Sequence, residues 1–274
     1  MSPQPDLLSR RLAAAGFIAA DEEAEELLAA AGEDAERLEA MLARRLTGEP
    51  LAWITGSIRF CGLTIRVDPG VYVPRWHTEL IARQAIERLP EEGVAVDVCT
   101  GSGALARAMM ASRPRARVVA TDIDERAVAC ARANGVDALL GDLVEPLPPE
   151  FQGRVDVLTG AVPYVPHDEL PLLQRDTFTF ESALAYEGGD DGTDVLRRVI
   201  RAAPRWLREG GTLLLELGGD QAAMLRGDLT RYRFVDLRVL RDEEGDPRGI
   251  EARHAGAGRR RVSRRRSPAW PSGC

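Results

Sequence analysis

Residues 94–103 read Val-Ala-Val-Asp-Val-Cys-Thr-Gly-Ser-Gly, an apolar run that closes on an acid and opens into a glycine loop. Val94 to Val98 has the β-branched composition of a strand buried on both faces, and Ala104 to Ser112 is a run of good helix formers. The loop between them would lie beyond a strand's carboxyl end, which is where open α/β sheets bind ligands. Gly101 and Gly103 would let the backbone come close to one.

Working outward toward the C-terminus, the alternation is regular. Strands are predicted at Arg117 to Thr121, Ala138 to Leu140, Val155 to Leu158 and Gly211 to Leu217, with helices at Glu125 to Asn134 and, behind Thr193 as N-cap, Asp194 to Leu207. This is the pattern of an α/β doubly wound, Rossmann-like sheet. Phe234 to Leu240 and Gly249 to Arg253 flank the turn-rich Asp242-Glu-Glu-Gly-Asp-Pro247 and read as a closing antiparallel hairpin. Toward the N-terminus, a helix from Thr78 to Leu89 precedes the central strand, and 57–60 with 63–67 form a hairpin pivoting at Cys61-Gly62. Residues 6–47 carry three helical patterns: Leu7, Leu8, Leu12; Ala24, Leu27, Leu28; and Leu38, Met41, Leu42, Leu46. Asp21 and Asp34 stand where N-caps belong, and Gly48-Glu49-Pro50 stops the last helix. The expected organisation is a small helical domain at 1–50 that packs on the main domain or holds a macromolecular substrate, a hairpin linker at 51–74, a ligand-binding α/β domain at 75–254 and a basic disordered tail at 255–274.

Composition narrows the function classes. The chain has 274 residues, 45% hydrophobic, and no lysine, so all 36 basic residues are arginine. Cys61, Cys99, Cys130 and Cys274 show no CxxC spacing, and with His77, His167 and His254 as the only histidines a metal site is not expected. No apolar run reaches membrane-spanning length and the first residues lack a secretory pattern, so a cytoplasmic protein is expected. The net charge of −7 conceals six arginines between 259 and 266, which leaves the rest near −13. Such an acidic body argues against sequence-specific nucleic-acid binding, and the arginine run reads as a solvated extension.

A glycine loop with an acid about twenty residues on serves nicotinamide enzymes and S-adenosylmethionine enzymes alike, and Asp122 suits the ribose hydroxyls of either. The other acids separate them. A dinucleotide pyrophosphate wants a helix N-terminus free of competing anions, yet Asp97 precedes the loop and Asp142 follows the third strand. S-adenosyl-L-methionine carries a sulfonium and an ammonium, which acids suit, and Asp142 could also accept from the adenine amino group. S-adenosylmethionine is therefore the expected cofactor and a nicotinamide oxidoreductase the least favoured reading.

At Thr55-Gly56, Phe60-Cys61-Gly62, Pro74-Arg75 with Thr78-Glu79, Asp97 to Gly103 and Val162-Pro163-Tyr164, the chain resembles the HemK/PrmC family of release factor glutamine methyltransferases. It looks closest to a branch with Val-Pro-Tyr-Val-Pro after the fourth strand. The resemblance runs from the N-terminal helices to about Arg253. It implies a class I methyltransferase fold, S-adenosylmethionine as cofactor, a role in translation termination, and methylation of the glutamine amide in the GGQ loop of peptide chain release factors. It places Cys99, Thr100, Gly101, Ser102 and Gly103 around the cofactor, Asp122 on its ribose, and Asp142 with Leu143 beside its adenine. The reacting motif falls on Ala161, Val162, Pro163 and Tyr164.

Two departures stand out. The family reads Asn-Pro-Pro-Tyr where this chain has Ala161-Val162-Pro163-Tyr164, and the asparagine's oxygen with a main-chain carbonyl accepts the two N–H groups of the target amide. Alanine has no acceptor, so the resemblance leaves open a catalytically weakened homologue that holds cofactor and release factor, with Ala161→Asn expected to raise the rate. Methylation of another amide or a base nitrogen is a further alternative. The second departure is Trp76-His77, where the family has Pro-Glu.

Overall fold

The computed structural model describes residues 5–172 and 179–256. Its centre is β3 (Val94–Val98), the apolar run quoted above, with every residue after Val94 buried. On one side it pairs in parallel with β4 (Arg117–Asp122), which pairs with β5 (Asp137–Leu140). On the other it pairs in parallel with β6 (Val155–Gly160), which carries β7 (Leu207–Glu216). The chain thus winds outward in one direction from β3 and then returns to its other side, so the crevice between the β3 and β6 ends is a topological switch point. The closing hairpin, β8 (Phe234–Arg241) and β9 (Pro247–His254), is antiparallel, and β9 inserts between β7 and β8. Its turn is set by Asp242, whose Oδ1 accepts from the Glu244 and Asp246 N–H groups at 3.1 and 2.8 Å while Oδ2 takes Arg248 Nε at 2.6 Å.

Alternation along the strands divides the core in two, as period-two side-chain geometry requires. Val96, Leu158, Leu213 and Leu215 face Leu196, Val199 and Ile200 of a helix at Asp194–Ala202. Ala95, Val157 and Leu214 face Ile81 and Ala85 of a helix at Thr78–Arg88 and Leu105 and Met109 of one at Ala104–Ser112. In chain order α1 is Pro5–Ala14, α2 Ala20–Ala31, α3 Ala35–Leu46, α4 Leu51–Thr55, α5 Thr78–Arg88, α6 Ala104–Ser112, α7 Glu125–Ala133, α8 Asp194–Ala202, α9 Gln221–Met224 and α10 Arg226–Arg231.

The N-terminal helices bury Leu8, Leu12, Leu27 and Leu42 against Ile54 of α4. That short helix carries no periodic pattern long enough to be read from sequence. Leu7 and Leu46 fall off the buried stripe and are exposed. Asp34 caps α3 by accepting from Arg37 N at 2.9 Å. Asp21 caps nothing: α2 starts two residues earlier than such a cap requires, at Ala20 behind Ala19, and Asp21 instead accepts from the Ser9 hydroxyl. Thr193 likewise gives α8 no side-chain cap, because its hydroxyl donates to Asp191.

β1 (Ser57–Phe60) and β2 (Leu63–Arg66) form the expected antiparallel hairpin. Asn134, at the end of α7, ties it to the glycine loop: its Nδ2 donates to Arg66 O and Ser102 O, each at 2.8 Å. Trp53 of α4 donates from Nε1 to Val71 O at 2.9 Å and packs on Val67, Val71 and Val73. At the far end, Ala255 N donates to Arg233 O at 2.9 Å, so the body extends to Gly256, while the rest of the expected tail, 257–274, lies outside the described residues. No helix among the described residues is long and apolar enough to cross a membrane.

Candidate active site

The loop after β3 is held by the strand beside it. Thr100 N donates to Thr121 O at 3.1 Å and Gly101 N to Asp122 Oδ2 at 2.9 Å. Cys99 and Gly101 both adopt left-handed backbone, φ 55° and 56°. Gly103, at φ 80°, is small for a different reason: a Cβ there would come within 3.0 Å of Ala131 Cβ and Val136 Cγ2, so it seats α6 against α7.

Asp97 faces inward. Its carboxylate takes the Thr100 hydroxyl at 2.6 Å and the Thr159 hydroxyl at 2.8 Å, bridging β3, the loop and β6. Burial pushes its pKa up to about 6, against the pull of those two hydrogen bonds. Asp122 sits at the end of β4 with Oδ2 on Gly101 N and Oδ1 on Asp124 N at 3.0 Å. Burial raises its pKa as well. Asp142 pairs through Oδ2 with Arg198 of α8.

These ends surround one pocket. Cys99, Gly101, Asp122, Asp142 and Leu143 of the expected cofactor residues line it; Asp97, Thr100, Ser102 and Gly103 form the layer behind. Ala161 and Pro163 line the same pocket, whereas Val162 is buried in the core and Tyr164 turns aside. The Tyr164 hydroxyl donates to Glu216 Oε1 at 3.1 Å, and its carbonyl accepts from Gln221 Nε2 at 2.7 Å. Burial, and then the Glu216 carboxylate, keeps that phenol protonated far above neutral pH. The Cys99 thiol is also neutral, pushed up by burial and by Asp122.

A cap over the pocket has no local sequence signal. Ser182, Leu184 and Ala185 close it opposite Val71 and Tyr72. Beneath them Glu181 accepts from Val73 N at 2.8 Å and from Arg75 Nη2 at 2.5 Å, and Arg75 also donates to the Tyr186 hydroxyl at 2.7 Å. The Tyr186 ring stands edge-on to Tyr72 at 5.5 Å. The cap joins the segment that follows the 161–164 motif through backbone: Val165 N donates to Tyr186 O and Gly188 N to Val165 O, both at 2.8 Å.

The lining suits S-adenosylmethionine: carboxylates of Asp122, Asp142 and Glu187 for its hydroxyl, amino and cationic groups, and Val71, Ile123 and Leu143 for its apolar surface. A carboxylate oxygen has more than one lone pair, so Asp122 and Asp142 can accept from a ligand while keeping their present partners.

Residues 62–141 match the family model described as "Methyltransferase small domain". The chain is 36% identical over 219 residues to the release factor glutamine methyltransferase of Geobacter sulfurreducens, covering 78% of this chain and 76% of that protein. It is 37% identical over 224 residues to that of Mycolicibacterium smegmatis (79% and 78% covered) and 38% over 219 residues to that of Neisseria gonorrhoeae (77% and 78%). The chain belongs to the release factor glutamine methyltransferase family. The methyltransferase small-domain match takes in β3, the glycine loop and Asp122 and ends at Gly141, before Asp142 and the motif at 161–164.

Proposed function

We propose that the protein transfers a methyl group from S-adenosylmethionine to the side-chain amide nitrogen of the glutamine in the GGQ loop of a peptide chain release factor. One observation carries this reading: Ala161 and Pro163 of the reacting motif line the same pocket as Gly101, Asp122 and Asp142. On this reading a donor site and an acceptor site share one cavity at the switch point of the sheet.

The cofactor supplies an electrophilic methyl group on a sulfonium. Asp122 and Asp142 would hold the nucleoside part, beneath the cap formed by Ser182, Leu184 and Ala185. An amide nitrogen is a poor nucleophile because its lone pair is delocalised, so the motif loop must fix both N–H groups and bring nitrogen and methyl carbon to about 3–3.5 Å in line. Transfer would form the N–C bond as the C–S pair returns to sulfur, with one amide proton passing to solvent. The N-terminal helical domain is assigned to holding the release factor, with the hairpin as its linker to the sheet. A second reading, a binder that turns over weakly, is favoured by Ala161, which presents only a methyl group to the pocket.

Incubation with labelled S-adenosylmethionine and a purified release factor, with the methyl group located by mass spectrometry, tests this. Methyl on the GGQ glutamine is the expected result. Tight cofactor binding without transfer would leave the binder.

A further inference from the structure

The end of β7 holds a carboxylate that neither the cofactor pocket nor the fold uses fully. Glu216 is 1% exposed. Its Oε1 accepts from the Tyr164 hydroxyl at 3.1 Å and lies 3.2 Å from His77 Nε2, which is not aligned for a hydrogen bond. Its Oε2 is buried and has no hydrogen-bond partner among the described residues. Leaving a buried acceptor unsatisfied costs about 1–3 kcal/mol, more for a charged group, so such an atom in a native site calls for a partner.

The strand register says where that partner would be. β6 and β7 run parallel with Thr159 opposite Leu214 and Gly160 opposite Leu215, so Glu216 is one step along β7 from the last pair, and Ala161 is the residue that follows the end of β6. Neighbours in register share a face. Leu214 packs against the α5–α6 layer and Thr159 bonds Asp97 on that same side, which puts Glu216 there as well. Ala161 lines the cofactor pocket, and so does Tyr72, whose ionisation is opposed by burial and then by the Glu216 charge.

We propose that Glu216 Oε2 is the acceptor for one N–H of the target amide, filling the role that the side chain at position 161 does not provide. This rests on the amide-methyltransferase reading above. With one N–H on Glu216 and the other on a main-chain carbonyl of the motif loop, the amide plane is fixed and its nitrogen presented to the methyl group. The substitution at 161 then leaves a competent enzyme, whereas the motif comparison alone expects a weakened one.

Single-turnover methylation of a purified release factor separates the two, with calorimetric S-adenosylmethionine affinity confirming that each variant is folded. The wild type transfers methyl, and Glu216→Gln, which keeps an acceptor oxygen, stays within about tenfold of it. Glu216→Met, of similar length with no acceptor, falls by a factor on the order of 10²–10³, by analogy with deleting one preorganised polar contact to a reacting group. Adding Ala161→Asn to Glu216→Met restores most of the rate. With S-adenosylhomocysteine bound, one side-chain amide proton of a ¹⁵N-labelled target glutamine moves upfield in Glu216→Met. A Glu216→Met rate equal to wild type overturns the proposal. So does a loss that the added Ala161→Asn leaves unrepaired, which would mean that Glu216 only supports Tyr164. A gain of about 10² or more from Ala161→Asn alone, the size expected for restoring one such contact, overturns it too and makes position 161 the limiting gap. No transfer by any form with cofactor bound overturns the functional reading, and this inference with it.

Discussion

Asp122 and Asp97 sit on neighbouring strand ends and do opposite work. Asp122 faces the pocket, so Asp122→Ala removes acceptors for the cofactor while the apolar strands stay intact. Hydrogen bonds to a charged group are worth roughly 1.5–3 kcal/mol each, and calorimetry should show at least about a tenfold loss of S-adenosylmethionine affinity. Asp97 faces inward and binds its proton near pH 6, above the ordinary 3.8, because it is buried. Between about pH 4 and 6 the native state therefore holds more protons than the unfolded chain, and the Asp97 contribution to stability falls as pH rises, by about 3 kcal/mol in all. Asp97→Asn should remove that slope, and denaturant unfolding of both proteins across this range measures it. Both acids are visible in the sequence. Which one meets ligand is not, since that depends on register: Asp97 pairs with Ala120, two residues deeper in the sheet than Asp122.

The cap over the pocket is an element whose stability depends on one buried carboxylate. Glu181, 6% exposed, holds Val73 N and Arg75 from the opposite wall, more than a hundred residues away in sequence. Breaking a buried ion pair by removing one partner costs about 3–5 kcal/mol, and Arg75, with 30% of its side chain exposed, puts this case at the lower end. Glu181→Ala should lower the melting temperature by several degrees, raise the cofactor Kd, and make the backbone around 181–187 newly sensitive to protease. Loss of stability with unchanged cofactor affinity would show that the cap does not hold the ligand. The sequence carries no trace of this element, because the pairing is between distant segments and neither has a periodic pattern. By contrast β3, α6 and the closing hairpin were legible: their apolar spacing is local, and local spacing fixes strand or helix.

Across the whole molecule, the helical unit, hairpin and sheet are joined around the pocket by Trp53 on Val71 and by Asn134 on both Arg66 and Ser102. Residues past Gly256 offer no apolar periodicity, so truncation after Gly256 should leave melting temperature and cofactor affinity unchanged; a fall of several degrees would mean that the arginine run packs on the body. The amino-acid sequence alone determined the alternation of strands and helices, the glycine loop, the acids at successive strand ends and the motif at 161–164, because each is written in neighbouring residues. Only the tertiary structure decided that Asp97 turns inward, that Asp21 and Thr193 cap nothing, that Glu181 latches a cap, and that Glu216 Oε2 is buried without a partner among the described residues. Burial and strand register are set by which segments meet, and segments far apart in the chain meet only when the sheet is assembled.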